Sequence, residues 1–166
     1  MKRIKHKTNK QVTSIEFSVD KNGYDFLFGL CEIFDLKEIF IDVYTAVIKE
    51  QDYKALSKVD NILIATADRN AKTKDIHLKA TTENLLQITK LLEVCNFEDL
   101  NIWNCYTDWE QYLNDKLNYN VPVFKKSIVK QNEYDFYLNF KEGVVEIICQ
   151  PVDDIDEVLT QIQKII

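Results

Sequence analysis

The sequence predicts an α+β fold: a mixed, mostly antiparallel sheet with three to four helices packed on it, in a single domain. Three observations carry that prediction. Short segments alternate apolar and polar residues with the two-residue period of a half-buried strand, while others repeat apolar residues at helical spacing. Two pairs of strand segments are joined by short polar stretches, which makes them hairpins and therefore antiparallel. Finally, the 166 residues include only three Gly and two Pro, and no stretch reads as a linker at which to divide the chain.

Residues 1–10 read as a basic, flexible arm, and residues 11–166 as the domain. Ile15, Phe17 and Val19 alternate with Glu16 and Ser18, as a strand does. Phe26, Leu27, Leu30, Cys31 and Phe34 recur at helical spacing and place a helix over 23–36. Residues 38–48 fit two patterns. Ile39, Ile41, Val43, Thr45 and Val47 alternate and are β-branched, whereas Phe40, Val43, Tyr44 and Val47 fit a helical stripe; the β-branched run favours the strand. A short helix fits Tyr53 to Leu56.

Strands at 61–67 and 75–80 flank a charged loop and form the first hairpin. Thr82 offers a cap for a helix carrying Leu85, Ile88, Leu92 and Cys95. A strand near 99–104 follows. Thr107 or Asp108 then caps a short helix bearing Trp109, Tyr112, Leu113 and Leu117, which Pro122 stops. A strand at 121–129 precedes the second hairpin, in which Tyr134–Phe140 and Val144–Cys149 are joined by a three-residue turn, Lys141-Glu142-Gly143. Asp153 or Asp154 caps the last helix, whose stripe is Ile155, Val158, Leu159, Ile162 and Ile166.

Composition excludes several function classes. Gly23, Gly29 and Gly143 stand alone, so there is no dinucleotide fingerprint or phosphate-binding loop. Cys31, Cys95, Cys105 and Cys149 show no paired spacing, and His6 and His77 are the only histidines. This reads as buried free thiols in a reducing compartment, with no metal site and no cofactor. His77, between Ile76 and Leu78, reads as an exposed strand histidine. Asp52-Tyr53-Lys54 has the residue types of a nuclease site but falls outside any strand. No apolar run approaches a membrane span and no signal peptide is evident, so a soluble, cytoplasmic protein is expected.

The net charge of −6 is uneven. Lys2, Arg3, Lys5, Lys7 and Lys10 contribute +5, leaving 16 basic against 27 acidic side chains in the remainder, a net of −11. Such a body repels nucleic acid and membranes at long range and attracts a basic protein. Nucleic-acid contact is confined to the basic arm.

The segment from Phe97 to Tyr119 joins this acidity to aromatic residues of the kind that dominate interfaces. Its candidate partner-binding residues are Glu98, Asp99, Trp103, Tyr106, Asp108, Trp109, Glu110, Tyr112 and Asp115. The expectation is a non-enzymatic, stoichiometric inhibitor that binds a basic partner such as a toxin domain, as a bacterial immunity protein does. The alternatives are a phage-encoded inhibitor of a host defence protein, a small enzyme or ligand-binding domain with dispersed site residues, and an accessory protein that oligomerises through the strands at 121–129 or 133–149.

Overall fold

The strand segments assemble into one antiparallel sheet of eight strands in the computed structural model, which describes residues 3–19, 24–56, 58, 60–65, 74–94, 99–105, 109–110 and 134–166. In chain order they are β1 (Lys5–Thr8), β2 (Thr13–Ser18), β3 (Glu38–Ala46), β4 (Ile62–Ala65), β5 (Lys74–Thr81), β6 (Asp99–Cys105), β7 (Tyr134–Lys141) and β8 (Val144–Cys149). The helices are α1 (Phe26–Ile33), α2 (Glu50–Leu56), α3 (Leu85–Val94) and α4 (Ile155–Ile165). The order across the sheet is β1-β2-β8-β7-β6-β3-β5-β4. β3 is therefore the seam. On one side of it lies the β5–β4 hairpin, and on the other five strands that include the first and the last in chain order.

Residues opposite one another in an antiparallel pair share a face, so the register sorts the side chains. Ile15 and Phe17 of β2, Val145 and Ile147 of β8, Phe136, Leu138 and Phe140 of β7, Leu100 and Ile102 of β6, Ile39, Ile41 and Val43 of β3, and Ile76 and Leu78 of β5 all fall on one side. They join Phe26, Leu27 and Leu30 of α1, Leu56 of α2, Leu85, Ile88 and Leu92 of α3, and Val158 and Ile162 of α4 in one buried cluster. The helices thus share a face, and the other face of the sheet carries its polar side chains together with the buried Phe40, Trp103 and Ile148. An aromatic group ties α1 to β7: Phe34 packs on Phe136 with ring centroids 5.0 Å apart, and Phe26 on Phe140 at 6.0 Å. Gly29 allows α1 to approach α4, because a Cβ there would lie 2.7 Å from Ile165 Cγ2.

Most elements lie where the patterns put them, with three differences and one segment beyond reach. The alternating β-branched residues of 38–48 do form a strand, because β3 is paired on both sides. Part of the segment read as a flexible arm runs as β1 along β2, with Lys5 bonded to Glu16. The second hairpin turns on two residues, since Lys141 pairs directly with Val144, and Glu142 and Gly143 both take positive φ (52° and 81°). That double left-handed conformation matches the right-handed twist of the strands. β7 and β8 are flanked on both sides, so neither is the sheet edge that was expected to pair with a second chain. The expected strand at 121–129, and all but Trp109 and Glu110 of the expected helix at 107–117, lie outside the described residues.

Asp154 is the cap chosen at α4: its carboxylate accepts the Glu157 N–H at 3.0 Å. No helix among the described residues is long and apolar enough to cross a membrane.

Gly143 suits its turn, whereas Glu142 carries a Cβ in the left-handed region, at a cost of about 1 kcal/mol. Glu142→Asn creates the Asn-Gly pair this turn favours and is expected to raise stability by on the order of 0.5–1 kcal/mol in urea denaturation.

Candidate functional site

The polar face of the sheet is organised around a buried carboxylate. Asp42 sits at the middle of β3, opposite His77 of β5 and Asn101 of β6. It is wholly buried, so both oxygens require donors. Oδ1 bonds His77 Nδ1 at 2.7 Å, and Trp103 Nε1 donates to Oδ2 at 2.8 Å. An ionised Asp42 only accepts, so in that state His77 donates to it from Nδ1. The Tyr44 ring meets His77 edge-on, with centroids 6.0 Å apart.

The network continues across β6 and β7. Trp103 stacks on Tyr137 at 4.5 Å. The Tyr137 hydroxyl donates to Asn101 Oδ1 at 2.9 Å, and the Asn139 amide donates both to Asn101 Oδ1 and to the Asp99 carboxylate. Among the described residues every fully buried side-chain nitrogen and oxygen has a partner.

Charge gathers around the two tyrosines. Burial first, then the nearby Asp42, Asp75 and Asp99, push the Tyr44 hydroxyl far above the ordinary phenol range. Burial, then Asp99, Glu146 and Asp42, do the same to Tyr137. Asp99 is itself raised by burial, against the Asn139 hydrogen bond, the Lys141 charge and the Leu100 N–H, which lower it. Its carboxylate is therefore less well solvated than it would be in water, although it remains half exposed.

The residues expected to form the site are divided by this arrangement. Asp99 lies on the acidic, tyrosine-bearing face, and Glu110 is exposed. Trp103 is 2% exposed and does not reach the surface; it belongs to the Asp42 network. Trp109 is partly buried and stacks parallel on Phe40, with centroids 6.4 Å apart. Glu98, Tyr106, Asp108, Tyr112 and Asp115 lie outside the described residues.

His77 corrects the expectation of an exposed strand histidine. Its position on the polar face was read correctly, but that face buries it to 8% exposure against Asp42. The sequence reading missed Asp42, Tyr44, Asn101, Tyr137, Asn139 and Glu146. The available signal was their shared parity with His77, Asp99 and Trp103, which becomes informative only once β3, β6 and β7 are known to be neighbours.

Other chemistry is poorly placed. Cys31 and Cys149 lie on the helix side of the sheet, away from His77, and burial pushes their thiols up to about 11 and about 12. Neither is a thiolate nucleophile near neutral pH. Asp52 and Lys54 lie on α2, where Lys54 pairs with Glu50. A cavity of about 360 Å³ at the far end of β6–β8 is lined by Phe34, Leu36, Asn104, Phe136, Gln150 and Val152, with Asp35 and the Cys149 thiol. Among the described residues no group of three or more His, Cys, Asp or Glu side chains is placed to hold a metal ion. The chain matches no protein-family model and no curated protein sequence.

Removing Asp42 tests the network directly. Asp42→Ala is expected to orphan the Trp103 and His77 donors at roughly 1–3 kcal/mol each. Urea denaturation followed by tryptophan fluorescence reads the loss, and Asp42→Asn, which keeps one acceptor, should lose less. Raised phenol pKa values contribute stability that is fully present below about pH 10 and is lost as pH rises through the folded-state values. In an alkaline titration the phenolate absorbance of Tyr44 and Tyr137 should therefore appear together with loss of far-UV circular dichroism. Tyr44→Phe and Tyr137→Phe should each remove one unfolding-coupled step.

Proposed function

We propose that this chain is a stoichiometric protein-binding inhibitor that takes a basic partner on the polar face of its sheet. By class it fits a bacterial immunity protein acting in the cytoplasm on a toxin effector domain. The observation that carries the reading is the pair Tyr44 and Tyr137 on β3 and β7, with the partly exposed carboxylates of Asp75, Asp99 and Glu146 near them. Tyrosine supplies contact area at low entropic cost, and carboxylates around it complement Lys and Arg. Asp99 adds a specific reason. A desolvated carboxylate without full compensation is costly in the free protein and favourable once a cation reaches it.

A phage-encoded inhibitor of a host defence protein would use the same chemistry, and only the identity of the partner separates the two. The Asp42–His77 dyad is the feature that favours a small enzyme instead, since a carboxylate orients the imidazole as in a general base. The same carboxylate also holds Trp103, which supports a structural role for the dyad at the centre of the sheet.

The test is to mix the purified chain with basic toxin domains, starting with any encoded beside its gene. Loss of toxicity and a one-to-one complex on gel filtration at low salt are expected. Unchanged toxicity and separate elution with every candidate overturn the reading. Asp99 separates the binding role from a merely structural one. Because its pKa is raised, its contribution to stability is present below about pH 4 and declines as pH rises. Asp99→Asn should therefore raise the urea midpoint at neutral pH, with the difference shrinking in acid, while weakening the complex. Asp99→Lys should weaken it about tenfold or more. An unchanged affinity in both variants removes Asp99 from the interface.

A further inference from the structure

The two edges of the sheet are built differently. β1 presents Lys5, His6 and Lys7, and all four of its residues are exposed. Charged side chains, lysine above all, are the usual device for keeping a free edge from pairing. β4 is Ile-Leu-Ile-Ala, with no charge and no proline, and Ile62, Leu63 and Ile64 are half-buried. Among the described residues no strand lies on its outer side.

The hydrogen-bond pattern shows which groups that edge offers. The Lys79 N–H donates to the Asn61 carbonyl at 3.0 Å, so those two residues form a hydrogen-bonded pair. Hydrogen-bonded and non-hydrogen-bonded pairs alternate along an antiparallel ladder. In the observed register Ile62 faces Leu78, Leu63 faces His77 and Ile64 faces Ile76. Leu63 therefore directs its N–H and C=O toward β5, while Ile62 and Ile64 direct theirs outward.

We propose that β4 pairs with β4 of a second copy of this chain, antiparallel about a two-fold axis through Leu63. That register is self-complementary. Ile62 stands opposite the partner's Ile64 and exchanges both backbone hydrogen bonds with it, and Ile64 does the same with the partner's Ile62. Leu63 meets the partner's Leu63 in a non-hydrogen-bonded pair on the polar side. Side-chain parity is preserved, so Ile62 and Ile64, which already pack against the helix-side core, meet their equivalents on the helix side of both copies. A charged partner strand finds nothing on β4 to recognise, whereas an identical strand meets no repulsion. The sheet then runs unbroken through both copies, with the two tyrosine-bearing faces on the same side. This inference is independent of the proposed function.

Analytical ultracentrifugation across a dilution series tests the association. A monomer–dimer equilibrium is expected, with Leu63→Lys weakening it at least tenfold because two lysines are then held face to face. Cysteine scanning tests the register. Opposed Cα atoms in a non-hydrogen-bonded pair lie about 4.5 Å apart, within disulfide range. Mild oxidation should crosslink Leu63→Cys but neither the wild type nor Ile62→Cys, whose nearest partner is an isoleucine. A monomer at every concentration overturns the proposal. So does a dimer that Leu63→Lys leaves intact and Leu63→Cys does not crosslink. Efficient crosslinking of Ile62→Cys in place of Leu63→Cys overturns the register.

Discussion

The carboxylate of Asp42 is the constraint on which the sheet depends. Among the described residues it lies on the strand, β3, that joins the β5–β4 hairpin to the rest of the sheet. It takes one donor from each side, His77 from β5 and Trp103 from β6. A slip of one residue at either junction would turn Asp42 toward the helix-side core or leave a buried donor unmatched, and each outcome costs more than an ordinary apolar contact returns. Apolar alternation alone would accept a slip of two residues. The paired hydrogen bonds of Asp42 would not, so they select the register that the hydrophobic pattern leaves open.

The placement of the helices explains why such a network is needed. All the apolar stripes of α1 to α4 close on one face of the sheet. The other face must reconcile buried positions with polar side chains, and it does so with aromatic rings that carry polar handles. Tyr137 covers Trp103 with its ring and holds Asn101 with its hydroxyl. Not every group is fully satisfied. Asp99 remains raised despite the Asn139 amide and Lys141.

The fold was legible because it is written in local patterns. The two-residue period of Ile39, Ile41 and Val43, the β-branched character of that segment, and the acidic cap before α4 each act within a few residues. The site was not legible in the same way. Asp42, His77 and Trp103 are far apart in the chain, and what brings them together is that β6 lies beside β3 and not beside β5, its predecessor in sequence. Nothing local encodes that adjacency. Trp103 illustrates the consequence: its residue type suggested an interface, and its parity was compatible with one, but a strand on each side and a buried acceptor made it core. Asp99, four residues away on the same face of β6, kept part of its exposure.

The division of charge looks different once the strands are in order. The basic residues at the start of the chain offset nearly half of the acidity of the body in a sum over the sequence, yet two of them, Lys5 and Lys7, sit in space on β1, where Lys5 pairs with Glu16 of β2. From β1 to β7 is three strand spacings and to β6 four, roughly 14 and 19 Å at about 4.8 Å each. Both exceed the screening length of about 8 Å at physiological ionic strength. An approaching cation near Tyr44, Asp99 and Tyr137 therefore meets the acidic groups of that face with little screening from β1, and Lys141 opposite Asp99 is the positive charge it meets there. The tertiary arrangement thus holds the lysines of β1 away from the surface proposed to bind, a separation that the formal net charge of −6 does not express.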